Sequence, residues 1–154
     1  MADAMTPSTD PRCVMHTGRL LPHPPARVFA AIADPDQLAR WWGPAGFTST
    51  FEVFEFEPGG RWVFQMHGPD GACYANTSFF AAIEPGRQVV VRHDGAPLFT
   101  LTITLDAVNE GTWLDWVQVF DDADTADAVR ARCSQGNEDN LDRLSALLSG
   151  GTPA

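Results

Sequence analysis

The chain has 154 residues, of which 44% are hydrophobic and 10% aromatic, and this composition suits one globular domain with a sizeable core. The formal net charge is −10, and all ten basic residues are arginines. Because this charge repels a phosphate backbone, nucleic acid is excluded as a predicted partner. The absence of lysine excludes Schiff-base chemistry.

The cysteines and the N-terminal sequence indicate the cellular compartment in which the protein is expected. Cys13, Cys73 and Cys133 form no CxxC pair, and an odd number of cysteines in a domain of this size does not indicate a disulfide framework. The N-terminus has neither a basic region nor an apolar run, and no window approaches eighteen uninterrupted apolar residues. We therefore expect reduced thiols, a cytoplasmic location and no membrane partner.

The first elements are a strand and two short helices. Residues 12–21 are predicted to form a strand that Pro22 ends. Prolines at 24 and 25 suit the first turn of a helix, which presents one apolar face. Asp34 is the expected N-cap of the second helix, with Pro35 at its first position, and Gly43-Pro44 ends it.

Residues 46–120 alternate between apolar and polar positions, as strands do. Turn sequences at 58–60, 68–71, 84–87, 93–97 and 109–111 divide this region into six strands. In the run from Phe99 to Leu105, apolar residues alternate with threonine. This alternation predicts an antiparallel sheet that is covered on one face only.

The cover is predicted to be a C-terminal helix within residues 124–148. Its apolar positions recur at helical spacing: Val129, Cys133, Leu141, Leu144, Leu147 and Leu148. Gly136 predicts a bend or an interrupted start, with the secure part of the helix from about residue 137.

This order of elements predicts an α+β fold of the helix-grip type. A curved seven-stranded antiparallel sheet wraps around the long C-terminal helix, two short helices follow the first strand, and a cavity lies between sheet and helix. We expect the domain to span residues 12–149, with disordered tails at 1–11 and 150–154.

Three segments carry a resemblance to a known family: DPDQLARWWGPAGFT, EPGGRWVFQMHGPDG and DAVRARCSQGNEDNLDRLSALL. With the strand at 99–105, they resemble bacterial single-domain homologues of the activator of heat-shock-protein-90 ATPase, in the START-like (SRPBCC) superfamily. The match covers roughly residues 12–149. The resemblance implies a helix-grip fold and a pocket for an apolar or aromatic small molecule, but no particular reaction.

The aromatic side chains allow two interpretations. Alternating bulky residues on one strand face usually fill a core, yet their number here suits the lining of a pocket. On the pocket interpretation, the walls are Trp62, Phe64, Met66, Tyr74, Phe99, Trp116 and Leu141, and the mouth is formed by Trp42 and Phe47. Gln118 shares a face with Trp116, and if it points inward its amide needs a partner, either a ligand or a water molecule.

Trp41 and Trp42 lie where the second helix is predicted to end. Neighbours on a helix point about 100° apart, so one indole is expected to pack inward while the other does not. The outward indole would serve either as a lid on the cavity or as a hydrophobic staple to the first strand.

The sequence offers little for catalysis. The acid–base candidates are His67, His93, Asp115, Glu52, Glu55 and Tyr74. Strand alternation places His67 opposite in phase to Met66, and Asp115 with Trp113 rather than Trp116. There is no HxxxH, HExxH, CxxC or GxSxG spacing, so no metal, cofactor or catalytic residue is predicted.

Three functions follow in order. The first is binding of a small hydrophobic molecule in the cavity. The second is a co-chaperone-like module that contacts a chaperone or another protein, and the third is a cyclase-like enzyme. A sheet edge and exposed tryptophan also predict a homodimer as an alternative to the monomer.

Overall fold

The computed structural model describes residues 10–150. The strands are β1 Val14–Leu21, β2 Thr48–Phe54, β3 Arg61–His67, β4 Cys73–Glu84, β5 Gln88–His93, β6 Phe99–Val108 and β7 Gly111–Phe120. The helices are α1 Pro25–Ala33, α2 Pro35–Trp41 and α3 Ala123–Leu148, and a 3₁₀ turn at Pro11–Cys13 precedes β1. The predicted order of elements is therefore confirmed.

The ends of the first elements follow from local chemistry. The first two residues of the predicted first strand, 12 and 13, belong instead to the 3₁₀ turn. The reason is local, because Pro11 fixes the backbone and the Asp10 carboxylate accepts from the Arg12 N–H. Asp34 caps α2 as predicted, and its carboxylate accepts from the backbone N–H of Asp36. The side-chain hydrogen bond from Gln37 is the largest cause that lowers the pKa of Asp34, and the bond from Asp36 N–H lowers it further.

All seven strands form one antiparallel sheet in the order β1-β7-β6-β5-β4-β3-β2. Each strand from β2 to β6 pairs with the next in sequence, and β1 joins the sheet beside β7. The register shifts between Phe51 and Val53 and between Phe80 and Ala82. Such irregularities increase local bending, so they help the sheet to curve around its cover.

Helix α3 is continuous over 26 residues and is not interrupted at Gly136. Its first half is stabilised from three directions. Asp122 caps it by accepting from Thr125 N, Ala126 is buried against Met15 and Phe120, and the Arg12 guanidinium pairs with Asp124 and Asp127. These contacts offset the cost of about 1 kcal/mol that a glycine imposes inside a helix.

The core lies between one face of the sheet and the three helices. Trp62, Leu101 and Trp116 from the sheet share one buried cluster with Leu141 and Leu144 from α3. The fold is therefore α+β of the helix-grip type, as predicted. Apart from residues 10, 11 and 150, the predicted tails lie outside the described residues. No helix within residues 10–150 is long and apolar enough to cross a membrane.

Candidate functional site

The space between the sheet and α3 is occupied by a continuous group of aromatic rings, here called the aromatic interior. Its members are Trp41, Trp42, Phe51, Phe54, Phe56, Trp62, Phe64, Phe80 and Trp116. Trp42 stands at its centre, with ring centroids 4.9 Å from Trp62, 5.5 Å from Trp41 and 5.7 Å from Trp116. Trp62 is flanked in turn by Phe64 at 4.6 Å and Phe80 at 5.7 Å.

Trp41, the last residue of α2, and Trp42, which follows it, both pack inward, contrary to the expectation that only one does. Trp41 is fully buried, and its indole N–H donates to the Ala31 carbonyl of α1 at 3.0 Å. Trp42 is the C-cap residue and has an extended backbone, with φ −77° and ψ 128°. The helical spacing of 100° therefore does not apply to the pair, and the half-buried Trp42 ring folds over Trp62 and Trp116.

The segment after Trp42 is tied to α3 by polar contacts. The Gly43 N–H donates to Asn140 Oδ1 at 2.7 Å, and the Ala45 N–H donates to Asp139 Oδ2 at 3.1 Å. Gly43 has φ +113°, and a Cβ there would lie 3.4 Å from Phe47 Cβ. A residue with a side chain would be strained in this position, so the glycine fixes the path of the segment.

Arg143 makes the second set of ties. Its guanidinium donates to the carbonyls of Arg40 at 2.8 Å, Gly43 at 2.9 Å and Pro44 at 3.1 Å. These carbonyls belong to the C-terminal end of α2 and the turn after it, where the helix dipole favours a cation. Burial lowers the pKa of Arg143, yet an arginine remains charged at any physiological pH.

Two indole nitrogens in the aromatic interior have no partner. Trp62 and Trp116 are each 1% exposed, and within residues 10–150 neither Nε1 has a hydrogen-bond acceptor. More than nine in ten buried polar groups in proteins are paired, and an unpaired one costs about 1–3 kcal/mol. These two donors are therefore the strongest polar feature of an otherwise apolar site.

Gln118 is buried, as the pocket interpretation required, and α3 supplies its partner. The Asn137 amide donates to Gln118 Oε1 at 3.0 Å. Sequence reasoning had missed Asn137 and Asn140. A signal was present, because both lie on the helical face of α3 that also carries Leu141 and Leu144.

The remaining predicted lining residues do not all lie in the aromatic interior. Phe64 and Leu141 are buried, and Met66 packs partly buried against the same core. The ring centroids of Phe47 and Tyr74 lie 6.0 Å apart, beside the turn at Gly43. Because Tyr74 is 48% exposed, this pair lies at the rim of the aromatic interior rather than in a wall. Phe99 packs between His93 and Phe120, towards the start of α3.

The acid–base candidates do not converge on the aromatic interior. Asp115 is bonded to His16 at 2.6 Å in an exposed cross-strand pair. Glu52 accepts from Gln65, and Glu55 accepts from the backbone of Arg61. His93 is the buried exception, held between Asn76 Oδ1 at 3.0 Å and the Pro97 carbonyl at 2.9 Å.

The cavity predicted between the sheet and α3 is not open, because the rings of the aromatic interior fill it. An open concavity lies elsewhere, beside the start of α3 and the loop between β5 and β6. This open groove of about 450 Å³ is lined by Ala96, Pro97, Leu98, Asp121, Asp122, Thr125 and Val129. None of the predicted lining residues belongs to it.

Comparison with known proteins agrees with this architecture. Residues 22–149 match the family described as Activator of Hsp90 ATPase homolog 1-like protein. The chain belongs to this family. A comparison with curated proteins gave no match.

Solved structures of similar proteins share the fold. A protein from Chromobacterium violaceum is 27% identical, with a TM-score of 0.79 over 87% of this chain and 96% of that one. One from Arthrobacter aurescens is 23% identical, with a TM-score of 0.85 over 96% and 93% of the two chains. An AHSA1-like protein from Aeromonas hydrophila is 20% identical, with a TM-score of 0.73 over 92% and 96%. The last two likenesses show the fold alone.

Proposed function

We propose that this AHSA1-like protein binds a small, apolar, aromatic or acyl molecule that carries a hydrogen-bond acceptor, in the aromatic interior between the sheet and α3. The observation that carries the proposal is the pair of buried indole donors, Trp62 Nε1 and Trp116 Nε1, which lack an acceptor among the residues that the structure describes. A ligand carbonyl, ether or hydroxyl oxygen would supply what the protein does not.

Access to the site requires a ring to move, because aromatic side chains fill the interior. Trp42 is the ring best placed to do so. It lies outside the helix, is half-buried, and contacts both Trp62 and Trp116 directly. Displacing it would open space beside the rings of Trp62 and Trp116, which carry the two unpaired donors.

The test is calorimetric titration with two probes of similar shape, 2-acetylnaphthalene, which has a carbonyl acceptor, and 2-ethylnaphthalene, which has none. We expect saturable binding that is tighter for the ketone. The variant Trp62→Phe should weaken ketone binding about tenfold, the equivalent of one hydrogen bond of about 1.4 kcal/mol, and leave hydrocarbon binding nearly unchanged. Trp113→Phe is the matched control, since Trp113 is 41% exposed.

Each outcome has a defined meaning. Equal binding of the two probes, with no effect of Trp62→Phe, would overturn the role of the acceptor and retain an apolar site. Absence of binding by either probe, and by apolar compounds of other shapes, would overturn the ligand-binding function. In that case the co-chaperone-like function, which the family match favours, becomes the leading candidate.

Three further expectations from the sequence stay predictions. They are the cytoplasmic location, the homodimer and the use of the interior by a cyclase-like enzyme.

A further inference from the structure

A cysteine, a histidine and a threonine from three neighbouring strands form a hydrogen-bonded row on the sheet. Cys73 Sγ of β4 lies 3.2 Å from His67 Nδ1 of β3, and His67 Nε2 lies 2.8 Å from Thr50 Oγ1 of β2. His67 and Cys73 are directly opposed in the strand register. His67 also alternates with Met66, which packs against the core, so the row lies on the face away from the aromatic interior.

The row has the arrangement of an activated nucleophile. A thiol next to an imidazole can pass its proton to the ring, and the thiolate that results is the reactive form of cysteine. In the tautomer that carries its proton on Nε2, His67 donates to the Thr50 hydroxyl, and Nδ1 can then take the thiol proton. The nucleophile, its base and the group that orients the base are therefore all present.

The thiol is also accessible, which distinguishes it from the other two cysteines. Cys73 is exposed, and β5 pairs with β4 only from Ser78 onward, so β4 has a neighbouring strand on one side only at this point. Cys13 is 1% exposed. Cys133 is half-buried, and burial raises the pKa of its thiol.

We propose that Cys73 is a thiol-modification site that reacts with low-molecular-weight disulfides, with His67 as its base. The Cys73 Sγ–H proton moves to His67 Nδ1, and the thiolate attacks one sulfur of the incoming disulfide. A new S–S bond to Cys73 forms as the old S–S bond breaks. The leaving thiolate takes the proton from His67, so Cys73 is oxidised to a mixed disulfide and one half of the reagent is reduced to a thiol.

The charged groups around the row have other partners. Glu52 on β2 accepts from Gln65, and Asp70 in the turn between β3 and β4 accepts from the backbone of Ala72. Neither carboxylate is bonded to His67, whose two ring nitrogens are taken up by Cys73 and Thr50. The chain nevertheless has a net charge of −10, so a cationic disulfide avoids repulsion by the protein as a whole.

The test is the rate of mixed-disulfide formation with cystamine, followed on the full chain by mass spectrometry and assigned to each cysteine by peptide mapping. At neutral pH we expect Cys73 to react before Cys133 and Cys13. His67→Gln should slow Cys73 several-fold without changing the rate at Cys133, and Thr50→Val should slow it less. His16→Gln is the matched control, since His16 is an exposed histidine on β1 that is bonded to Asp115.

The pH dependence separates a base from a structural contact. Above about pH 10 thiols ionise without help, so the difference between the wild type and His67→Gln should disappear there. An unchanged Cys73 rate in His67→Gln at neutral pH, or a difference that persists at high pH, would overturn the proposal. Urea unfolding of each variant checks that the fold is retained.

Discussion

At the scale of single residues, the contact between Asn137 and Gln118 is open to a direct test. Replacing Asn137 with leucine leaves the buried Gln118 amide without its partner, and we expect the free energy of unfolding to fall by about 1–3 kcal/mol. The double variant Asn137→Leu, Gln118→Leu should recover much of that loss, because two apolar side chains leave no buried amide unpaired. Urea unfolding provides the measurement. Gln135→Leu, at an exposed position of α3, is the control. A double variant no more stable than Asn137→Leu would contradict the prediction.

Sequence reasoning reached some of these residues and missed others, for physical reasons. Strand alternation placed Gln118 on the same face as Trp116, and the structure shows that both residues are buried. Alternation carries no information about which residue of a distant helix lies opposite, so the partner Asn137 was not found. The prediction for Trp41 and Trp42 was wrong because it applied helical spacing to a C-cap residue whose backbone is extended.

At the scale of elements, Arg143 joins α3 to the end of α2. Arg143→Met keeps the length of the side chain but removes the donors to the carbonyls of Arg40, Gly43 and Pro44. We expect the free energy of unfolding to fall by about 1–3 kcal/mol, since bonds from charged donors are the stronger ones. Amide hydrogen exchange should quicken in residues 42–47 in particular. Arg132→Met, at an exposed position of the same helix, is the control. Equal exchange in the two variants would show that Arg143 does not hold the segment.

The elements themselves were the most predictable part of the chain. Proline and glycine turns ended the strands where the sequence indicated, because these residues act through local backbone geometry. The first half of α3 was less predictable. Its stability depends on Arg12 and on Met15 and Phe120, which come from distant parts of the chain. Considered without those contacts, Gly136 indicates only the free-energy cost of a glycine inside a helix.

At the scale of the whole molecule, the free energy of unfolding should depend on pH in the acidic range. Hydrogen bonds in the folded state lower the pKa of Asp34, Asp121, Asp122 and Asp127. For Asp121 the largest cause is the side-chain bond from Arg92. A carboxyl group whose pKa is lower in the folded than in the unfolded state stabilises the fold above the unfolded value of about 3.9. That contribution is lost as the pH falls from there through the folded pKa.

We therefore expect the free energy of unfolding to decline below about pH 4. Asp121→Asn should be less stable than the wild type at pH 7 and should lose less stability on acidification, because the titrating partner of Arg92 is gone. Urea unfolding at a series of pH values gives both slopes. Asp106→Asn, at an exposed position in β6, should keep the slope of the wild type. A slope that is the same in the wild type and in Asp121→Asn would remove the Arg92 pair from this explanation.

The strand order has a consequence for how the chain is made. Val14 at the start of β1 pairs with Val119 near the end of β7, and α3 follows β7. During synthesis, β1 therefore has no strand to pair with until β7 has been made. Until α3 follows, no long helix covers the tryptophan-rich face of the growing sheet. Closing so long a loop is slow and leaves apolar surface open meanwhile. The final folding step should thus occur only after β7 and α3 have been synthesised.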